Sequence, residues 1–304
     1  MRSLPFALLP AALWSGLAVG RTLEAGPGLA YPSPSAAARD AVDGDTIQIA
    51  PGEYYDCIVS DRRLTIQGPA TLTDKTCEGK ALLVLRGNGT VVRDLVLARA
   101  RVPDANGAGI RLEGRDATIE RVVFENNEVG VLGGAGRVTL RDCTITAGHA
   151  GMTAILVGEA DMLVVQNTRV RITHGLALSS SAGVTTITGG AIETSDQGLL
   201  LSGPATIDGV AVALSGEATS FARATGGNVT IRRTTLVNTT GRGVALLLDW
   251  GPGAVVLDGN TVGPGDREVA TSGAWRYRAG LAARSAKAGM RDVARAVKHA
   301  VMGP

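Results

Sequence analysis

Aromatic residues are scarce in this chain: Phe, Tyr and Trp together make up 3% of 304 residues. A conventional globular core of this length draws on more large rings than that. Histidine is scarcer still, with three in all, and the scattered carboxylates around them show no metal-ligand spacing, so no metal site is expected. No sign of charge dominates, the formal net charge being +2. Eight basic and three acidic residues from Asp266 onward leave a tail of +5. With Arg2 set aside as well, the remaining body carries −4. A mildly acidic body excludes the basic footprint that nucleic-acid binding needs.

Long apolar runs are also missing, except at the start. Arg2 followed by the apolar stretch Leu4 to Val19 and the small residues Ala18-Val19-Gly20 has the form of a cleavable export signal over residues 1–20. A short membrane anchor is the alternative, but Pro5, Pro10 and Gly16 interrupt the run. The mature chain is therefore expected in the periplasm or outside the cell, with no membrane span. Of three cysteines, Cys57 and Cys77 lie 20 residues apart, near one turn of the repeat described next. They are expected to form a disulfide, with a loop adjusting because the coil alignment does not stack them directly. Cys143 falls at an inward turn position, where a buried free thiol is expected.

What the chain does have is glycine, 41 residues, with its apolar content in Val, Leu, Ile and Ala. That composition fits many short strands joined by tight turns. One pattern recurs: an aliphatic residue followed five positions later by another apolar one. It appears as Val92/Leu97, Ile119/Phe124, Leu140/Ile145, Val165/Val170, Ile187/Ile192, Ile207/Val212, Ile231/Leu236 and Leu257/Val262, with a looser copy at Ile66. A second pattern, small-apolar-x-apolar, precedes most copies, as in Gly109-Ile110-Arg111-Leu112, Ala154-Ile155-Leu156-Val157, Gly175-Leu176-Ala177-Leu178, Gly198-Leu199-Leu200-Leu201 and Gly243-Val244-Ala245-Leu246. One unit cannot bury its apolar face alone, so units must stack around a shared core. Leucine-rich repeats and β-propeller blades fit this spacing less well.

The segment from Asp43 through Tyr54 (DGDTIQIAPGEY) resembles the opening strand and turn of the pectate-lyase-like superfamily of right-handed parallel β-helices. The resemblance covers about residues 30 to 263. It implies an all-β solenoid domain over residues 21–265 that includes a short N-terminal capping helix, for which Pro34 to Val42 fits with Ser33 as N-cap. It also implies an asparagine ladder three residues after each first apolar position. Only Asn260 matches; Leu95, Val122, Cys143, Thr168, Gly190, Val210 and Thr234 occupy the other places. Members usually act on acidic polysaccharides in a groove along one sheet. The Asp-Pro-His-Asp motif of epimerase-like members and the Gly-His-Gly of polygalacturonase-like chains are both absent from this sequence.

Read off the repeat, the outward residues of the small-apolar-x-apolar strand are Val84, Arg111, Leu132, Leu156, Ala177, Leu200 and Ala245, with Arg111 the one polar member. Such a strip is expected to be covered by loops, the tail or a partner. Ligand contact is expected instead near Arg99, Arg101, Asp104, Arg111 and Glu113, in the densest polar cluster. A weaker candidate is the rim formed by His174, Gln197 and Arg242. Residues 266–304 form a basic tail, and Met290, Val293, Val297 and Val301 mark one face of an amphipathic helix suited to capping the last coil or lying on an anionic membrane. Three functions remain open: an exported domain that binds a carbohydrate or cell-envelope partner, a divergent polysaccharide lyase or epimerase acting on uronic-acid polymers, and a structural module docking through its apolar sheet face.

Overall fold

The computed structural model describes residues 20–147 and 152–271. His149, residues 1–19 of the expected export signal and the expected amphipathic helix of the tail lie outside the described residues. The chain winds as a right-handed parallel β-solenoid of about ten turns, the pectin-lyase-like architecture. Every long ladder in it is parallel, and each strand pairs with its counterpart one coil on.

The five-residue repeat is the corner between two sheets. In the copy Ile119 to Phe124, Ile119 points inward from the second sheet and Glu120 outward. Arg121 holds left-handed backbone at φ 51°, Val122 is buried in the turn, and Phe124 points inward from the third sheet. One left-handed residue redirects the strand without breaking the ladder on either side. The same place is held by Asp94, Asp142, Asn167, Gly189, Gly209, Arg233 and Gly259, all with positive φ.

The first apolar residues of all copies form one column. Ile66, Val92, Ile119, Leu140, Val165, Ile187, Ile207, Ile231 and Leu257 pair in sequence across adjacent strands. The second residues stack likewise from Leu72 through Leu97, Phe124, Ile145, Val170, Ile192 and Val212 to Leu236. Both columns are fully or nearly fully buried along their length, apart from Leu257 in the last coil.

Where the turn column is polar, the side chain returns to the corner backbone. Asn260 Oδ1 accepts from Thr234 N (3.0 Å) and its Nδ2 donates to Ile231 O (2.9 Å). Thr234 and Thr168 donate to the carbonyls two residues before them. Cys143 is free and buried, and burial pushes its thiol up to about 11. A second asparagine does similar work at the opposite corner: Asn127, also buried, bonds Ala100 N and Leu97 O.

Helix α1 (Pro34–Asp40) sits at the N-terminal end of the core. Ser33 caps it by accepting from Ala36 N, and Pro34 opens it, as the sequence implied. Cys57 and Cys77 are bridged, with Cα atoms 5.6 Å apart. Ladder register pairs the residue after Cys57, Ile58, with Leu83. Cys77 therefore reaches its partner from the loop before the strand Ala81–Leu85, where it bridges back to Ala81. Strand Arg267–Thr271 pairs with Ala245–Asp249, so the first sheet runs past residue 265, where the tail was expected to start.

Candidate functional site

The first sheet carries the candidate surface. Its outward column runs Val59, Val84, Arg111, Leu132, Leu156, Ser179, Leu200, Arg223, Leu248, Ala270 by direct strand pairing. This corrects the expected strip at three places. Ser179 stands where Ala177 was expected and Leu248 where Ala245 was. Arg223 comes from a coil that the small-apolar-x-apolar pattern skips. The cause is a misread small residue. In four coils the inward small position is Gly109, Gly130, Ala154 and Gly198, and in the fifth it is Ala177, which aligns with Ala154. Gly175 serves the strand's entry instead, at φ 132°, where a Cβ would lie 2.1 Å from Met152 O. In the skipped coil the glycine is replaced by the buried Phe221. The column therefore holds two arginines and a serine.

The N-terminal part of this face is covered, as expected. Ala81, Val84, Ala108, Val129 and Leu132 form a second buried apolar cluster on the outer side. Val59, Cys77 and Leu156 pack against it.

Beyond that cluster a cleft of about 310 Å³ opens. Leu132, Leu156 and Gly133 to Ala135 form its floor, and Arg111, Glu113, Glu159, Ser179 and Ser181 stand around it. Glu113 accepts from Lys80 Nζ (2.8 Å) and Arg86 Nε (2.8 Å), and lies 3.7 Å from Arg111 Nε. Arg86 also bonds Glu78 and faces Asp61 at 3.6 Å. Burial draws the Glu113 carboxyl upward, but the Lys80 and Arg86 hydrogen bonds outweigh it and hold it below its ordinary range. Glu78 is held down chiefly by Arg86. The cleft thus has an ionised, fully engaged carboxylate on one wall and serine hydroxyls on the other. It offers polar contacts over an apolar floor, the usual composition of a small-ligand or sugar groove.

The structure brings Arg111 and Glu113 together and separates them from the other expected contacts. Arg99 forks onto Asp74 (both bonds 2.9 Å) and reaches Glu53 at 3.2 Å. Asp74 is depressed chiefly by Arg99. Arg101 is exposed and donates to Ala100 O, and Asp104 accepts from Asn106. Their loop is pinned by Glu128, which accepts from Val102 N and Gly107 N. The weaker candidates His174, Gln197 and Arg242 lie on three different coils, before or at the start of their first-sheet strands. Gln197 aligns with Leu176, two residues beyond the exposed His174, and Arg242 pairs with Glu217 at 3.1 Å.

Comparison with known proteins fits this architecture. No family model matches the chain, and no curated protein does. Among solved structures, a pectin methylesterase mutant in complex with a hexasaccharide is 12% identical with a TM-score of 0.50, covering 88% of this chain and 96% of that one. A carrot pectin methylesterase is 13% identical (TM-score 0.46, covering 84% of this chain and 89% of that one). A mannuronan C-5 epimerase module from Azotobacter vinelandii is 14% identical (TM-score 0.39, covering 79% and 94%). At 12% identity the likeness to the first of these establishes the fold alone.

Proposed function

We propose that this chain is an exported β-helix that binds an acidic polysaccharide along the outer face of its first sheet without cleaving it. The observation that supports this most is the cleft itself: Arg111, Ser179 and Ser181 over a floor of Leu132 and Leu156, in the middle of a face long enough to seat a polymer. Apolar floors take the ring faces of sugars, and a guanidinium with hydroxyls takes carboxylates and hydroxyl groups.

Binding is preferred to catalysis because glycoside cleavage by acid and base needs a protonated carboxyl beside an ionised one. Glu113 is held below its ordinary range, which rules it out as the acid, and as a base or nucleophile it is already engaged by Lys80 and Arg86. One feature favours the lyase or epimerase reading, namely that Glu159 lines the same cleft as Glu113. The fold likeness to polysaccharide-acting proteins and the Cys57–Cys77 bridge accord with a glycan partner outside the cytoplasm.

Purified protein would be titrated with polygalacturonate and alginate, with Arg111→Ala alongside, while reducing ends, unsaturated ends and released methanol are followed. Saturable binding that Arg111→Ala weakens, with no product, is the expected result. Product formation would replace this reading with the enzymatic one, and absence of binding to any polyuronate would overturn it.

A further inference from the structure

Arg223 stands five coil steps from Arg111 in the same outward column, on the order of 24 Å along the stack at ordinary strand spacing. It lines a separate cleft of about 460 Å³ with Arg267, Trp250, Thr219 and Leu248. Register explains how they meet. Leu200 pairs with Arg223, Arg223 with Leu248, and Ala245 with Arg267, while Trp250 N donates to Ala224 O (2.8 Å) and places the indole one coil beyond Arg223.

The Arg223 guanidinium carbon lies 5.9 Å from the centroid of the Trp250 ring, and its Nη2 donates to Thr219 Oγ1 at 3.1 Å. Among the described residues, no carboxylate forms an ion pair with Arg223 or Arg267. Arg223 is nevertheless half-buried. Burial lowers its guanidinium from the ordinary value, with Asp196 pulling weakly the other way. A desolvated cation with no ion-pair partner is costly; Arg86, just past the end of the strand Ala81–Leu85, has carboxylates at hydrogen-bond distance, and Arg223 has none among the described residues.

We propose that Arg223, Trp250 and Arg267 form a second binding site, selective for a sugar that carries a free carboxylate. Trp250 offers a flat apolar face to one side of a sugar ring, and the two guanidiniums offer forked donors to its carboxylate. A methyl-esterified sugar of the same shape leaves those donors without the charge that offsets their desolvation, so it binds poorly. This site shares its ligand class with the function proposed above but none of its residues with the Arg111 cleft.

The test uses the full chain with galacturonic acid and its methyl ester as probes, read by tryptophan fluorescence. Free galacturonate should change the emission saturably, the methyl ester should bind about tenfold more weakly or worse, and Trp250→Phe should abolish the signal. Arg223→Gln and Arg267→Gln should each weaken binding about tenfold, Arg223→Lys less, and Arg111→Ala not at all. Circular dichroism and the thermal midpoint would confirm that each variant is folded. Equal affinity for acid and ester, wild-type affinity in both glutamine variants, or no response to galacturonate at all would overturn the second site. Polymer binding that still depends on Arg111 would in that case leave the first reading standing. Galacturonate binding through Trp250 with polymer binding insensitive to Arg111→Ala would leave the second site standing alone.

Discussion

Arg121 and Asp94 meet across one coil step. Arg121 Nε lies 2.7 Å from Asp94 Oδ1, and its Nη2 lies 2.9 Å from Oδ2. Both residues occupy the left-handed corner position, at φ 51° and 57°. That conformation costs an L residue roughly 1–2 kcal/mol, so the corner column is where backbone, not packing, selects residue type. Two glycines in neighbouring coils should separate the backbone cost from the steric one. A Cβ on Gly209 meets nothing within 4 Å, whereas one on Gly190, in the adjacent turn column, would lie 2.2 Å from Thr168 O. Gly209→Ala should cost roughly 1–2 kcal/mol in denaturant unfolding, and Gly190→Ala clearly more. Equal costs would mean that the corner relaxes freely.

The inward column gives the second expectation. Ile187 is 2% exposed and pairs with Val165 and Ile207 above and below it. Ile187→Ala should lower unfolding free energy by roughly 2–5 kcal/mol. An unchanged denaturant midpoint would show that the solenoid core does not pack as described.

These two columns are legible in the sequence because a corner with one left-handed residue forces a fixed spacing of five between inward residues in adjacent sheets. Ile119 and Phe124 keep that spacing, and so do Ile231 and Leu236. The first sheet was less legible. Its strands are joined to the others by loops of unequal length, so no spacing fixes their register. Gly175 and Gly243 then imitate the small inward residue, whereas that inward position is held by Ala177 in one coil and by the large Leu246 in the other. Arg223 was missed for the same reason, since Phe221 sits where the pattern asks for glycine. Trp250 gave a signal that could have been used: it is one of three tryptophans in a chain almost without aromatics, and it follows a buried strand.

The thiols should behave as two classes. Cys57 and Cys77 are bridged and Cys143 is buried, its thiol pushed up to about 11 by desolvation. Labelling of unfolded, unreduced protein should find one thiol, and labelling of native protein near neutral pH should find none on the same timescale. Reduction should cost about 3 kcal/mol, since the bridge closes a loop of about 20 residues. Three reactive thiols without reductant would overturn the pairing.

Stability should fall at acid pH partly through Asp45. Its carboxyl accepts from Arg21 and from the Val42 and Arg21 main-chain N–H groups, and it is held down to about 2, the Arg21 side chain being the main cause and burial opposing it. A carboxyl depressed in the folded state stabilises fully above its unfolded value and loses that contribution as pH falls through the folded value. Asp45→Asn should therefore be less stable than wild type from neutral pH down to the ordinary value of 3.8. The two curves should converge as pH approaches about 2. A constant gap down to that pH would mean that Asp45 acts by shape and hydrogen bonding without its charge.

The Arg111 cleft makes a prediction opposite to the usual effect of removing a site residue. Glu113 places a negative charge in a cleft proposed to take an anionic polymer, and it occupies Lys80 and Arg86. If it serves only to orient those cations, Glu113→Gln keeps much of the geometry, removes the repulsion and frees positive charge for the ligand. Affinity for polygalacturonate should then rise, and it should fall more steeply with added salt than in wild type, because more screened attraction is involved. Arg111→Ala should move both quantities the other way. If Glu113 instead accepts hydrogen bonds from sugar hydroxyls, Glu113→Gln weakens binding and leaves the salt dependence nearly unchanged. Isothermal titration at several ionic strengths separates the two roles, and the second outcome would place Glu113 among the groups that touch the ligand.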